Sequence, residues 1–200
     1  MQLGIKSCFK EGGAMNILIV DDSRDDRKYL RDSIEHHGHE AIEAEDGQDG
    51  LGKAVTQKPD LIISDIMMPK MDGFQFLRAI KRDEKFKNVP FIFYSAAYNG
   101  SKDRELAASL GATHFIVKPK DPEEFWQLLR PIIEGIGTKV EKAPSKLLEE
   151  EEEFLRGYGQ FVGAKLEEKV RQLKIELEAH MRQEEKLKER IKELEAKAKE

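Results

Sequence analysis

Short apolar runs alternate with polar, helix-periodic stretches over the first two thirds of the chain. Asn16–Val20, Glu40–Ala44, Leu61–Ser64, Phe91–Ser95 and His114–Val117 have strand length and strand composition. Between them lie helical patterns with their own start and stop signals. Ser23 can cap a helix that carries Leu30 and Ile34 on one stripe, runs to about His37 and stops at Gly38. Asp46 or Gly47 opens a second helix to about Gln57, and Gly73–Lys81 reads as a third. Ser101–Leu110, closed by Gly111, is a fourth. Pro122, suited to a first helical turn, opens a fifth through about Glu134. Five β–α repeats predict an α/β fold: a doubly wound, five-stranded parallel sheet covered by helices on both faces.

The pattern changes near Gly137. From Gly163 onward the apolar residues recur every three or four positions: Leu166, Val170, Leu173, Leu177, then Leu187, Ile191 and Leu194. With Val170 at position a, the seam is broken only by His180 and Glu184, a polar layer that can fix register at some cost in stability. A long C-terminal helix with so narrow an apolar stripe has little to bury alone, so a coiled-coil partner is expected, with a parallel homodimer as the first choice. The preceding stretch holds five consecutive glutamates, then Phe154, Leu155, Tyr158, Phe161 and Val162. Gly157, Gly159 and Gly163 weaken helix there, so a hinge or kink is expected.

Composition sharpens this division. The 200-residue chain is 39% hydrophobic and 36% charged, with net charge -5. That charged share exceeds the usual quarter or so, and the excess sits in the tail, where residues 138–200 carry 15 Lys+Arg and 16 glutamates but no aspartate. The predicted organisation is an N-terminal extension (1–14, non-native or disordered, with Met15 the natural start), a domain over 15–136, a linker over 137–146 and a helical segment over 147–200. The net charge does not point to a nucleic-acid partner. No apolar run reaches the length of a membrane span, and no signal peptide is evident, so a cytoplasmic protein is expected. Cys8, the single cysteine, excludes an internal disulfide and is expected to be inert. His36, His37 and His39 are expected to be a solvated helix end.

In doubly wound folds the site lies at the carboxyl ends of the strands. The first strand ends in Asp21 and Asp22, the third in Asp65, the fourth in Ser95, and the fifth in Lys118-Pro119. Three crowded carboxylates call for a cation, and Mg²⁺ takes one or two carboxylates while accepting phosphate oxygens. A lysine and a hydroxyl alongside suit a phosphoryl group, and a carboxylate can accept one.

These pieces resemble the receiver domain of bacterial response regulators. The matching residues are Ile17-Leu18-Ile19-Val20-Asp21-Asp22, Asp65-Ile66-Met67-Met68-Pro69, Asp72-Gly73, Ser95-Ala96 and Phe115-Ile116-Val117-Lys118-Pro119, within about Met15 to Glu134. The resemblance implies a flavodoxin-like sheet order and two-component signalling. It implies that Asp65 is the phosphoacceptor, served by a histidine kinase or phosphotransfer protein. Asp21, Asp22, Asp65 and the Met67 main-chain carbonyl would hold Mg²⁺. Lys118 would pair with Asp65 or the phosphoryl oxygens, Ser95 and Phe115 would form the switch pair, and Lys118-Pro119 would be a cis bond. No kinase, cyclase or hydrolase domain and no basic recognition helix follows in the sequence. His180 lacks the surroundings of a kinase phosphoacceptor histidine. Two other readings remain: the N-terminal part of a hybrid sensor kinase or other signalling enzyme, and a static coiled-coil scaffold.

Overall fold

The computed structural model describes residues 13–96, 101–118, 121–136 and 151–197. Residues 1–12 with Cys8, the linker over 137–146, residues 147–150 and the Lys118-Pro119 bond (through Pro119) lie outside the described residues. The chain divides into two units, Met1–Phe154 and Leu155–Glu200.

The first unit alternates strand and helix throughout. The strands are β1 (Asn16–Val20), β2 (Glu40–Ala44), β3 (Leu61–Ser64), β4 (Phe91–Ser95) and β5 (His114–Val117). The helices are α1 (Arg24–His36), α2 (Gly47–Gln57), α3 (Gly73–Arg82), α4 (Ser101–Ser109) and α5 (Pro122–Gly135). All strand pairs are parallel, in the order β2-β1-β3-β4-β5. This is the flavodoxin-like, doubly wound sheet expected from the sequence.

Burial on both faces explains why the central strands β1, β3 and β4 read as nearly unbroken apolar runs. Ile17, Ile19, Leu61, Ile63, Ile92, Tyr94 and Ile116 pack with Leu30 and Ile34 of α1 and Phe125 and Leu129 of α5. Alternate positions serve the opposite face. There Phe91 and Phe93 meet Phe76 and Phe74 of α3 at ring-centroid distances of 5.5 and 5.0 Å, within the range where tilted aromatic pairs attract.

Polar residues at the helix starts fix where each helix begins. Ser23 Oγ accepts from Asp26 N in α1, and Asp46 Oδ1 accepts from Gln48 N and Asp49 N in α2. Asp72 forms a capping box with Gln75 in α3, and Asp121 caps α5. Lys81, buried at the end of α3, donates to the carbonyls of Lys87 and Val89 at 3.1 and 2.7 Å and so closes the turn into β4.

Two expectations need correction. The histidines at the end of α1 are not simply solvated: His37 stacks on Trp126 of α5 with centroids 3.8 Å apart, and His39 Nδ1 accepts from Met15 N. The second concerns the tail. The helix α6 (Glu151–Lys197) runs through Gly157, Gly159 and Gly163 without a break. The three glycines cost about 1 kcal/mol each relative to alanine, yet the helix continues through them among strong helix formers such as Glu, Lys, Leu and Ala. At 1.5 Å per residue such a helix is about 70 Å long.

One backbone approach positions the site. The loop after β3 turns back so tightly that Gly73 N donates to Ile66 O at 2.9 Å, and a Cβ on Gly73 would sit 2.2 Å from Asp65 O. Only glycine fits. Gly73→Ala is expected to cost about 3 kcal/mol in urea unfolding, as overpacked sites do. A change within about 0.5 kcal/mol, the range of neutral surface substitutions, would contradict the contact.

Candidate functional site

The site is assembled by sheet hydrogen bonds that continue one residue past the strands. Asp21 N donates to Ala44 O, Asp65 N to Val20 O, and Lys118 N to Ser95 O, at 3.1, 2.8 and 3.1 Å. Each residue therefore sits one step beyond a strand end, at the same edge of the sheet. Asp22 follows Asp21 and is exposed. One carboxylate oxygen from each of Asp21, Asp22 and Asp65 lies within 4.8 Å of the others.

Lys118 lies in the midst of these carboxylates. Its Nζ donates to Asp21 Oδ2 at 2.7 Å and to Asp26 Oδ2 at 2.6 Å, and stands 3.5 Å from Asp65 Oδ2. Nζ also lies 5.6 Å from the centre of the Tyr94 ring. Both oxygens of Asp21 are engaged, since Oδ1 accepts from Ser23 N at 2.9 Å. The Arg27 guanidinium donates to the Asp21 main-chain carbonyl at 2.6 Å. Asp65 Oδ1 accepts from Ile66 N at 2.7 Å, which orients its carboxylate.

Burial dominates the electrostatics. Asp21 is 1% exposed, and loss of water pushes its carboxyl up to about 6 despite the bond and charge of Lys118, with Asp65 adding to the rise. For Lys118, burial pulls the ammonium down. The charge of Asp65 and the bonds to Asp21 and Asp26 outweigh it, and Lys118 is held well above the ordinary lysine value. One ammonium thus faces three carboxylates, Asp21, Asp26 and Asp65, with the exposed Asp22 beside them, and a surplus of negative charge remains. An all-oxygen donor set of this kind, with three carboxylates converging, fits a hard divalent cation.

The remaining sequence-predicted residues fall around this centre. Ser95 ends β4 and is buried. Phe115 is half-buried on β5, opposite Phe93, with ring centroids 5.9 Å apart. Met67 follows in the loop after Asp65, with its side chain exposed. Sequence reasoning missed Asp26. It lies in the first turn of α1, where an acid is ordinary on local grounds, so nothing in its spacing marks it out. It also missed Lys70, which adopts φ +60° and reaches the buried carboxylate of Asp46 at 2.7 Å, tying the loop after Asp65 to the start of α2.

The second unit offers a different surface. Among its described side chains, Leu166, Val170, Leu173, Leu177, Leu187 and Ile191 are all exposed, from 43% at Val170 to 63% at Leu166. The side chain of Leu194 lies outside the described residues. Among the described residues no helix is long and apolar enough to cross a membrane.

The raised Asp21 carboxyl has a measurable consequence. Between its unfolded value near 3.8 and its folded value near 6, the folded chain binds more protons. Stability from this group is therefore full below pH 4 and falls as pH rises through 6. In metal-free denaturation, the wild type should lose up to about 3 kcal/mol relative to Asp21→Asn between pH 4 and pH 7. Parallel pH profiles for the two proteins would contradict this.

Comparison with known proteins agrees with the geometry. The family described as the response regulator receiver domain matches residues 17–130. Protein PilH of Pseudomonas aeruginosa is 34% identical over 119 residues, covering 60% of this chain and 98% of PilH. The phosphate regulon transcriptional regulatory protein PhoB of the same organism is 35% identical over 129 residues, covering 64% of this chain but only 56% of PhoB. Among solved structures, the chemotaxis protein CheY4 of Vibrio cholerae superposes with a TM-score of 0.57 at 31% identity, covering 60% of this chain and 99% of CheY4. The five-stranded sheet, the acidic cluster at its edge and these matches lead to one conclusion: the chain belongs to the response regulator receiver domain family.

Proposed function

We propose that this chain is the phosphoacceptor module of a two-component phosphorelay, with Asp65 as the acceptor. The observation that carries the reading is the convergence of Asp21, Asp22 and Asp65 with Lys118 at one edge of the sheet. A carboxylate oxygen of Asp65 attacks phosphorus to form an acyl phosphate. With a phosphohistidine donor the P–N bond breaks and the ring nitrogen keeps the electron pair. With acetyl phosphate the P–O bond to acetate breaks and acetate leaves.

Asp21, Asp22 and Asp65, with the Met67 main-chain carbonyl, would hold Mg²⁺. The ion, when bound, offsets the repulsion between these carboxylates and an anionic phosphoryl group. The chain's own residues do the rest. Ile66 N–H orients the Asp65 carboxylate. Lys118 supplies a positive charge beside the phosphoryl oxygens. Ser95 donates its hydroxyl to one of those oxygens, and Phe115 follows the movement of Ser95. A histidine kinase or phosphotransfer protein is the donor partner, in the cytoplasm.

The output passes to α6. Its composition of glutamate, lysine and arginine keeps the helix in water, while the exposed Leu166–Leu177 and Leu187–Ile191 positions form a stripe that a second copy of the same helix can cover. A homodimer with a signalling coiled coil follows.

Two measurements test these readings. With Mg²⁺ and acetyl phosphate, intact mass should rise by one phosphoryl group in the wild type and stay unchanged in Asp65→Asn; labelling that persists in the variant sinks the assignment. Sedimentation equilibrium should give a dimer for the wild type and a monomer for a Leu173→Glu/Leu177→Glu double variant. A wild-type monomer across the accessible concentration range rules out the coiled coil.

A further inference from the structure

The ammonium of Lys118 makes its shortest contact with a residue outside the acidic cluster. Its Nζ lies 2.6 Å from Asp26 Oδ2 and 2.7 Å from Asp21 Oδ2, but 3.5 Å from Asp65 Oδ2. Hydrogen bonds to a charged oxygen fall near 2.7–2.9 Å. Lys118 therefore bonds to Asp21 and Asp26 and only attracts Asp65 through space.

The two bonded partners differ in exposure. Asp21 is buried, and its other oxygen is fixed by Ser23 N. Asp26 is 42% exposed at the side chain. It sits in the first turn of α1, where its backbone N–H is capped by Ser23 Oγ and the helix dipole favours a negative charge. Its carboxylate can turn into water without unpacking anything, whereas that of Asp21 cannot. The groups that face Lys118 Nζ are thus a fixed acid, an exchangeable acid, the Asp65 carboxylate and the Tyr94 ring.

We propose that Asp26 is a positioning residue that holds Lys118 back from Asp65 in the unphosphorylated chain, so that phosphoryl loading includes an exchange of ion-pair partner from Asp26 to the phosphoryl oxygens. The inference rests on the assignment of Asp65 as acceptor and adds a brake to it. The exchange swaps one hydrogen bond for another and touches no covalent bond; the ammonium keeps its protons and Asp26 is resolvated. Lys118 has three donors, so it can keep Asp21 while it changes its second partner.

The test uses the full chain. Asp26→Asn keeps the shape and removes the charge, and Asp26→Glu restores it. A half-exposed pair of this kind is worth a modest factor, so Asp26→Asn should speed phosphorylation by acetyl phosphate about two- to fivefold and tighten beryllofluoride binding by a similar factor. Asp26→Glu should return both toward wild type. In the phosphate-free proteins, the side-chain NMR signals of Lys118 should shift in Asp26→Asn and recover in Asp26→Glu. Unchanged Lys118 signals, or a rate equal to or below that of the wild type in Asp26→Asn, overturn the proposal. A wild type that takes no phosphoryl group, with Lys118 signals that still respond to Asp26, overturns Asp65 as acceptor and the brake on loading, but keeps the Asp26–Lys118 pair.

Discussion

A parallel sheet ends all its strands on the same side, and that constraint creates the chemistry of this protein. The hydrogen-bond ladder continues one residue past β1, β3 and β5, which places Asp21, Asp65 and Lys118 together whether or not their charges favour it. The sheet's buried apolar faces supply the driving force. The carboxylates that arrive at its edge are packed against their electrostatic preference. Burial of Asp21 makes this concrete, because its carboxyl rises to about 6 even with an ammonium bonded to it. A site held in this state responds to any added charge, positive or negative.

The surrounding structure keeps that tension local. Gly73 lets the loop after β3 fold back onto the Asp65 carbonyl, and Ile66 N–H aims the carboxylate. Lys70 ties the same loop to the buried Asp46 at the start of α2. Arg27 holds the Asp21 main chain. These are short-range restraints on rigid elements, so the groups able to move are few. Lys118 and the half-exposed Asp26 are among them.

Much of this was legible in the sequence, for physical reasons. The central strands β1, β3 and β4 are buried on both faces and each has an Asp or Pro next to one end, so their limits follow from composition. All five strands fall at the sequence-derived positions. The acids at the strand ends follow from topology and need no side-chain knowledge. Tertiary pairings were not legible. Asp26 looks like any acid in a first helical turn until Lys118 arrives from 92 residues away. His37 looks like a solvated helix end until Trp126 packs over it. Glycines in α6 suggest a break by local propensity, yet the long run of helix formers around them prevails. The apolar stripe of α6 is plain from spacing.

We propose that the surplus negative charge at this edge receives a divalent cation. Titration of the isotopically labelled, full-length chain with Mg²⁺ at neutral pH, followed by amide NMR, tests it directly. Saturable shifts are expected, centred on Asp21, Asp22, Asp65 and Ile66, with Lys118 responding as its partner Asp21 becomes engaged. Shifts spread evenly over the surface acids, or none at these residues, would contradict it.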